Sequence, residues 1–149
     1  MIDRRHIGTA FPPFTVEVER SRLRFFAKAT GQTDPVYTDD AAARAAGHPA
    51  LPVPPTFLFC LEMEAPNPAA IRETLGLDYS RILHGEQGFT FHRMAHAGDV
   101  LTFRQRIADI YDKKNGALEF IVRHTEVTNA QDERVAELRC VTVYRNPTP

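Results

Sequence analysis

The tetrapeptide His84-Gly85-Glu86-Gln87 sets an imidazole and a carboxylate two positions apart. On a strand such positions share a face, so His84 and Glu86 can act as a base and its orienting carboxylate. Gly85 permits close approach of backbone or ligand, and Gln87 adds an amide. The same residues also suit an ordinary polar strand end. Asp34 precedes Pro35, where its carboxylate either caps its own turn or serves as an acid. Tyr37 either packs or presents its hydroxyl to a ligand. Pro54 and Pro55 have no N–H, so the first free amides before the apolar run that follows belong to Thr56 and Phe57. Amides at a helix start are a natural seat for an electron-rich oxygen. His92 and His96 have metal-ligand spacing only on a helix. They fall across a strand end and a turn, so no metal site is expected. Arg93, Arg104 and Arg106 are cations on strand-like sequence, where a solvated face is the ordinary reading.

These side chains need elements to hold them. Residues 14–18 alternate apolar and polar and predict a short edge strand. Ser21 is a candidate N-cap for a helix over 21–30, with Leu23, Phe25, Phe26 and Ala29 at helical spacing and Gly31 at its left-handed end. Asp39 or Asp40 caps a short alanine-rich helix over 40–46, closed by Gly47. Residues 48–55 are a proline-rich extended approach. Residues 56–64 are apolar apart from two glutamates, Glu62 and Glu64, and predict a buried helix. Residues 66–79 hold two prolines and two turns, with a short helix over 69–75, and form a candidate mobile flap. From residue 80 the period is two. Strands are expected over 82–93, 100–110, 118–128 and 134–144, with turns at 96–99, at Asn115-Gly116 and at 129–133. Leu101, Phe103 and Ile107 share one face of the second of these, Arg104 and Arg106 the other. Helices followed by four consecutive antiparallel strands argue an α+β domain with the buried helix packed on one sheet face.

Composition bounds the rest. The chain has 149 residues and a net charge of −1. It is expected to form one domain, with residues 1–13 as an arm. No global field points to nucleic acid, and no apolar run is long enough to predict a membrane span. Residues 1–8 lack the apolar stretch of a signal peptide, so a cytoplasmic, thiol-reduced protein is expected. Cys60 and Cys140 give neither a disulfide framework nor a metal motif. Cys60, in the apolar run, reads as a small core residue.

The segments ATGQTDPVYTD…AAGHPALPVPPTF and, later, LHGEQGFTFHRMAHAGDVLTF resemble the MaoC-like hot-dog dehydratases, in this order and separation. The resemblance runs from about residue 14 to 144. It implies a hot-dog fold, a long buried central helix wrapped by a curved antiparallel sheet. It also implies action on acyl thioesters of coenzyme A or acyl carrier protein, interconverting 3-hydroxyacyl and enoyl forms with no cofactor. Catalytic members carry an Asp and a His five residues apart as Asp-x-Asn-Pro-x-His. The matching positions here hold Gln32 and Tyr37. Glutamine takes no proton at neutral pH, and a phenol with an ordinary pKa of about 10 is a poor base. The candidate catalytic set is therefore His84, Glu86 and Tyr37. Gln32, Asp34, Thr56, Phe57, Gly85, Gln87 and Arg93 are candidate substrate contacts. Thr56 and Phe57 would face the thioester oxygen; Arg93, Arg104 and Arg106 are candidates for its phosphate-bearing tail. The dehydratases of bacterial fatty-acid synthesis place a Gly-His and a helical Glu at a separation that Gly47-His48 and Glu62 copy, which makes His48 and Glu62 an alternative pair. Three functions are implied: a dehydratase or hydratase, a non-catalytic partner of a MaoC-like subunit that holds the Asp/His pair, or a thioesterase. A homodimer or heterodimer is expected, with neither nucleic-acid nor membrane partners.

Overall fold

The computed structural model describes residues 1–147. Its elements run β1 (Phe14–Glu17), α1 (Arg20–Ala29), α2 (Asp40–Ala45), α3 (Phe57–Glu62), α4 (Ala70–Thr74), β2 (Ile82–Phe91), β3 (Val100–Lys113), β4 (Leu118–Thr128) and β5 (Arg134–Arg145). The five strands form one antiparallel sheet in the order β1-β3-β4-β5-β2. The α+β reading and the strand positions hold. The four long strands are consecutive in sequence but not in space, because β2 pairs with β5 at the far edge. The connection from β2 to β3 is tied to the extended approach to α3 by an isolated bridge between Pro52 and His96. Val53 donates to the Ala95 carbonyl at 2.9 Å and Ala97 donates to Leu51 at 2.8 Å. Asn115 and Gly116 adopt the left-handed φ values, 52° and 83°, that turn β3 into β4.

The buried helix is present but short. Pro54 and Pro55 precede it, and Pro66 follows within one turn of its end, so α3 keeps six residues where a long helix was expected. Phe57, Leu58, Leu61 and Glu62 are its buried side. The three apolar ones belong to the same cluster as Leu101, Phe103, Val127, Val135 and Leu138 of the sheet. Phe14 of β1 stacks on Phe103 with ring centres 5.2 Å apart. A second cluster joins Ile107, Ile110 and Ile121 to Leu77, with Ile71 of α4 and its C-cap Leu75 against it. Residues 66–79 thus rest on the sheet through these three apolar side chains. α1 starts one residue before the expected Ser21 cap: Glu19 holds the cap position with no side-chain bond, and Ser21 lies inside the first turn. At its other end Gly31 (φ 70°) donates to Lys28 at 3.2 Å, and Gln32 donates to Ala27 at 2.8 Å. This pair of hydrogen bonds is the glycine-dependent stop anticipated from sequence.

β2 carries a bulge between His84 and Glu86. A Cβ at Gly85 would lie 2.7 Å from Val143 Cγ2 and 3.1 Å from the Val141 carbonyl oxygen. At Gly88 the nearest atoms, both of Arg139, are 3.8 Å away. Gly85→Ala should therefore cost about 1–3 kcal/mol of unfolding free energy through overcrowding. Gly88→Ala should change it by no more than about 0.5 kcal/mol. Urea unfolding of the two variants checks this; equal effects would mean that the bulge is not held by close packing.

Candidate functional site

The loop after α1 is built from side chains that serve its own backbone. Gln32 Oε1 accepts the Asp34 N–H at 3.0 Å, and Asp34 Oδ1 accepts the Val36 N–H at 3.0 Å. Asp34 thereby caps the 3₁₀ turn Pro35–Tyr37. Tyr37 is half-buried at the end of that turn. Arg24 clamps the loop from α1 by donating to the Thr38 carbonyl at 2.8 Å.

The expected pairing of His84 with Glu86 is not made. His84 stands opposite Thr142, whereas Glu86 stands opposite Val141. Neighbouring residues of one strand face opposite sides, so the bulge at Gly85 sends the imidazole and the carboxylate to different faces. His84 lies edge-on to the Phe59 ring at 5.3 Å, on the helix side. Glu86 accepts from Arg139 Nη1 at 2.5 Å on the other side. Gln87 stands opposite Cys140, and both polar atoms of its buried amide lack a partner among the described residues.

The alternative pair is not made either. Glu62 is 1% exposed and accepts from Gln105 Nε2 at 3.1 Å, from Arg123 Nη2 at 2.6 Å and from the Thr125 hydroxyl. His48 meets His96 instead, Nδ1 to Nε2 at 3.3 Å. Sequence reasoning missed the three donors to Glu62. The signal was available: Arg123 and Thr125 lie in phase with the inward-facing Ile121 and Val127 of β4, so two polar side chains had to meet something under the helix.

The remaining candidates are scattered. Phe57 donates its N–H to the Pro54 carbonyl at 2.9 Å and packs its ring on Phe26 at 5.0 Å, so that amide is not a free donor. Thr56 is exposed at the cap of α3. Arg93 pairs with Glu133 at 3.1 Å, and Arg104 pairs with Asp132 at 3.1 Å. Arg106 is exposed on the outer face opposite His124. His92 contacts Glu137 at 2.9 Å while His96 turns to His48, so the two histidines do not converge. Among the described residues no three metal-capable side chains gather. At the start of α3 an apolar groove of about 370 Å³ opens between Val53, Pro55, Leu58, Phe91, Met94 and Val135.

The FAS1-like, dehydratase domain region family matches residues 5–138. The chain belongs to this family. A UPF0336 protein of Saccharopolyspora erythraea is 37% identical over 145 residues, covering 97% of this chain and 92% of its own length. Among solved structures, the C-terminally truncated HadBC (3R-hydroxyacyl-ACP dehydratase) complex of Mycobacterium tuberculosis superposes with a TM-score of 0.78 at 27% identity. That match covers 93% of this chain and 96% of that one. A MaoC-like dehydratase gives a TM-score of 0.84 at 26% identity, covering 95% of this chain and 42% of the longer one. The fold is the hot-dog fold of these dehydratases.

His96 offers a pH test of the site's architecture. Burial holds its imidazole below the ordinary 6.5, helped by His48 and opposed by Asp99. A histidine whose folded pKa is depressed stabilises the fold above the unfolded value, and that stability is lost as pH falls below it. Unfolding free energy should therefore decline as pH drops below about 6.5. His96→Gln should flatten that part of the profile, as denaturant titrations at several pH values would register; an unchanged slope would assign it to other groups.

Proposed function

We propose that this chain is the acyl-thioester-binding subunit of a heteromeric MaoC-like dehydratase, whose catalytic Asp/His pair comes from a partner subunit. The observation that carries this reading is the loop after α1. Gln32 and Tyr37 occupy the acid–base positions of catalytic members, and the Gln32 amide is engaged by the Asp34 N–H. Dehydration of a 3-hydroxyacyl thioester needs one group to remove the α-proton and another to protonate the departing β-hydroxyl, which leaves as water. The nearest substitutes within this chain are held apart: His84 and Glu86 by the bulge, His48 and Glu62 by their own partners. The solved HadBC relative is itself a complex.

The open edge supports a dimer. β2 pairs only with β5 among the described residues, which leaves one side of a ten-residue strand without a ladder. Leu83 and Phe91 are exposed near its two ends, at 52% and 50%. Edges of this kind are ordinarily covered. A MaoC-like catalytic subunit adding its own edge would extend the sheet and close the apolar groove at the start of α3 over an acyl chain.

The test is enoyl-thioester hydration by the purified chain alone and after co-expression with a MaoC-like subunit carrying Asp-x-Asn-Pro-x-His. General acid–base groups contribute about 10²–10⁴-fold each, so the chain alone should run at least about 10²-fold slower than the complex. Gln32→Asp with Tyr37→His should raise the activity of the chain alone. Equal rates with and without the partner would overturn the reading, and release of free thiol in place of hydroxyacyl product would make the protein a thioesterase.

A further inference from the structure

Two histidines meet where the approach to α3 crosses the connection from β2 to β3. His48 Nδ1 lies 3.3 Å from His96 Nε2, with the ring centres 5.4 Å apart and the planes tilted by 50°. The rings therefore meet through their nitrogen-bearing edges and do not stack. They stand 48 positions apart in the chain, so no local ligand spacing announces them. Both are half-buried.

Each imidazole is carried by a backbone that is fixed without the other. The His48 N–H donates to the Ala43 carbonyl at 3.0 Å and the Gly47 N–H to the Arg44 carbonyl at 3.0 Å, with Gly47 at a φ of 90°. These bonds are a glycine-dependent stop at the end of α2, and they set where His48 leaves it. His96 donates its backbone N–H to Asp99 Oδ2 at 2.8 Å. Its isolated bridge to Pro52 lies between the Val53–Ala95 and Ala97–Leu51 hydrogen bonds. The separation of the two ring nitrogens is thus set by the fold.

Magnitudes decide what such a gap suits. Hydrogen bonds donated by N–H cluster near about 2.9–3.0 Å, so the contact between the rings alone is a long one. Two nitrogens bound to one tetrahedral ion at about 2.0–2.1 Å each stand about 3.3–3.4 Å apart. Burial holds the His96 imidazole below its ordinary value, which keeps it neutral, the form that binds metal. Asp99 adds negative charge beside it.

The geometry points to a chelate site for a divalent late first-row ion such as Zn²⁺, held by His48 Nδ1 and His96 Nε2, with water completing the sphere. Imidazole suits such ions, whereas Mg²⁺ and Ca²⁺ take oxygen ligands. Two protein ligands leave the site open and exchangeable, unlike the closed four-ligand sites of structural zinc. The ion ties the approach to α3 to the connection from β2 to β3. Val53 and Pro55 of the first segment and Met94 and Ala95 of the second line the apolar groove, so the chelate clasps two of its walls. None of this depends on the acyl-thioester reading.

Calorimetric titration of the untagged, chelator-treated chain with Zn²⁺ tests the site, with Co²⁺ absorption reporting the ligand geometry. The expected result is one Zn²⁺ per chain and a melting temperature that rises with Zn²⁺, returns on adding chelator and ignores Mg²⁺. His48→Gln and His96→Gln should each weaken Zn²⁺ binding about tenfold or more, because even outer-shell changes at metal sites cost about 10–100-fold. His92→Gln, whose ring faces Glu137, should bind as wild type does. Melting of the metal-free variants separates misfolding from lost ligation, and the half-buried His48 decides the matter if His96→Gln fails to fold. Wild-type protein that takes up no Zn²⁺ overturns the inference. So does Zn²⁺ binding that survives His48→Gln, or that falls equally in His92→Gln.

Discussion

A single buried carboxylate fastens the helix to the sheet. Glu62 takes hydrogen bonds from Gln105 on β3 and from Arg123 and Thr125 on β4. Taking a carboxylate and a guanidinium out of water is costly, and their attraction offsets that cost only when the remaining polar atoms also find partners. Three donors converge on Glu62, while Arg123, 18% exposed, keeps its buried Nε without a partner among the described residues. A six-residue helix has few backbone bonds of its own, so its position depends on what its buried side meets. Phe57, Leu58 and Leu61 supply apolar contact without direction. Glu62 supplies direction, fixing which residues of β3 and β4 lie beneath the helix.

That constraint bears on chemistry. A carboxylate engaged by an arginine, an amide and a hydroxyl is poorly placed to exchange protons with a substrate. The same holds for the loop after α1, where the Gln32 amide and the Asp34 carboxylate bond to their own turn. The chain keeps the dehydratase fold and an apolar groove at the start of α3, while Gln32, Asp34, Glu62 and Glu86 are held by structural partners.

Much of the fold was legible in the sequence because its signals are local. Period-two patterning located β3, β4 and β5, Asn115-Gly116 marked their first hairpin, and Gly31 marked the end of α1. The parts that were not legible depend on distant residues. The place of β2 at the far edge follows from its pairing with β5, more than forty residues on. Opposite facing of His84 and Glu86 follows from one bulge, which breaks the period-two rule at the position where the rule was applied. The surroundings of Glu62 come from residues 43, 61 and 63 positions away. The resemblance in spacing suggested His48 as its partner, whereas the phase of β4 points to Arg123 and Thr125.

The role of Glu62 decides most directly between a structural and a catalytic reading of this interior. Glu62→Gln preserves shape and removes the charge that holds Arg123. The informative measurement is urea unfolding of that variant, set beside the turnover of the assembled enzyme per folded molecule. The expected result is a loss of about 3–5 kcal/mol in unfolding free energy with turnover retained. An unchanged unfolding midpoint with turnover reduced by about 10²-fold or more would contradict it and make Glu62 a proton carrier.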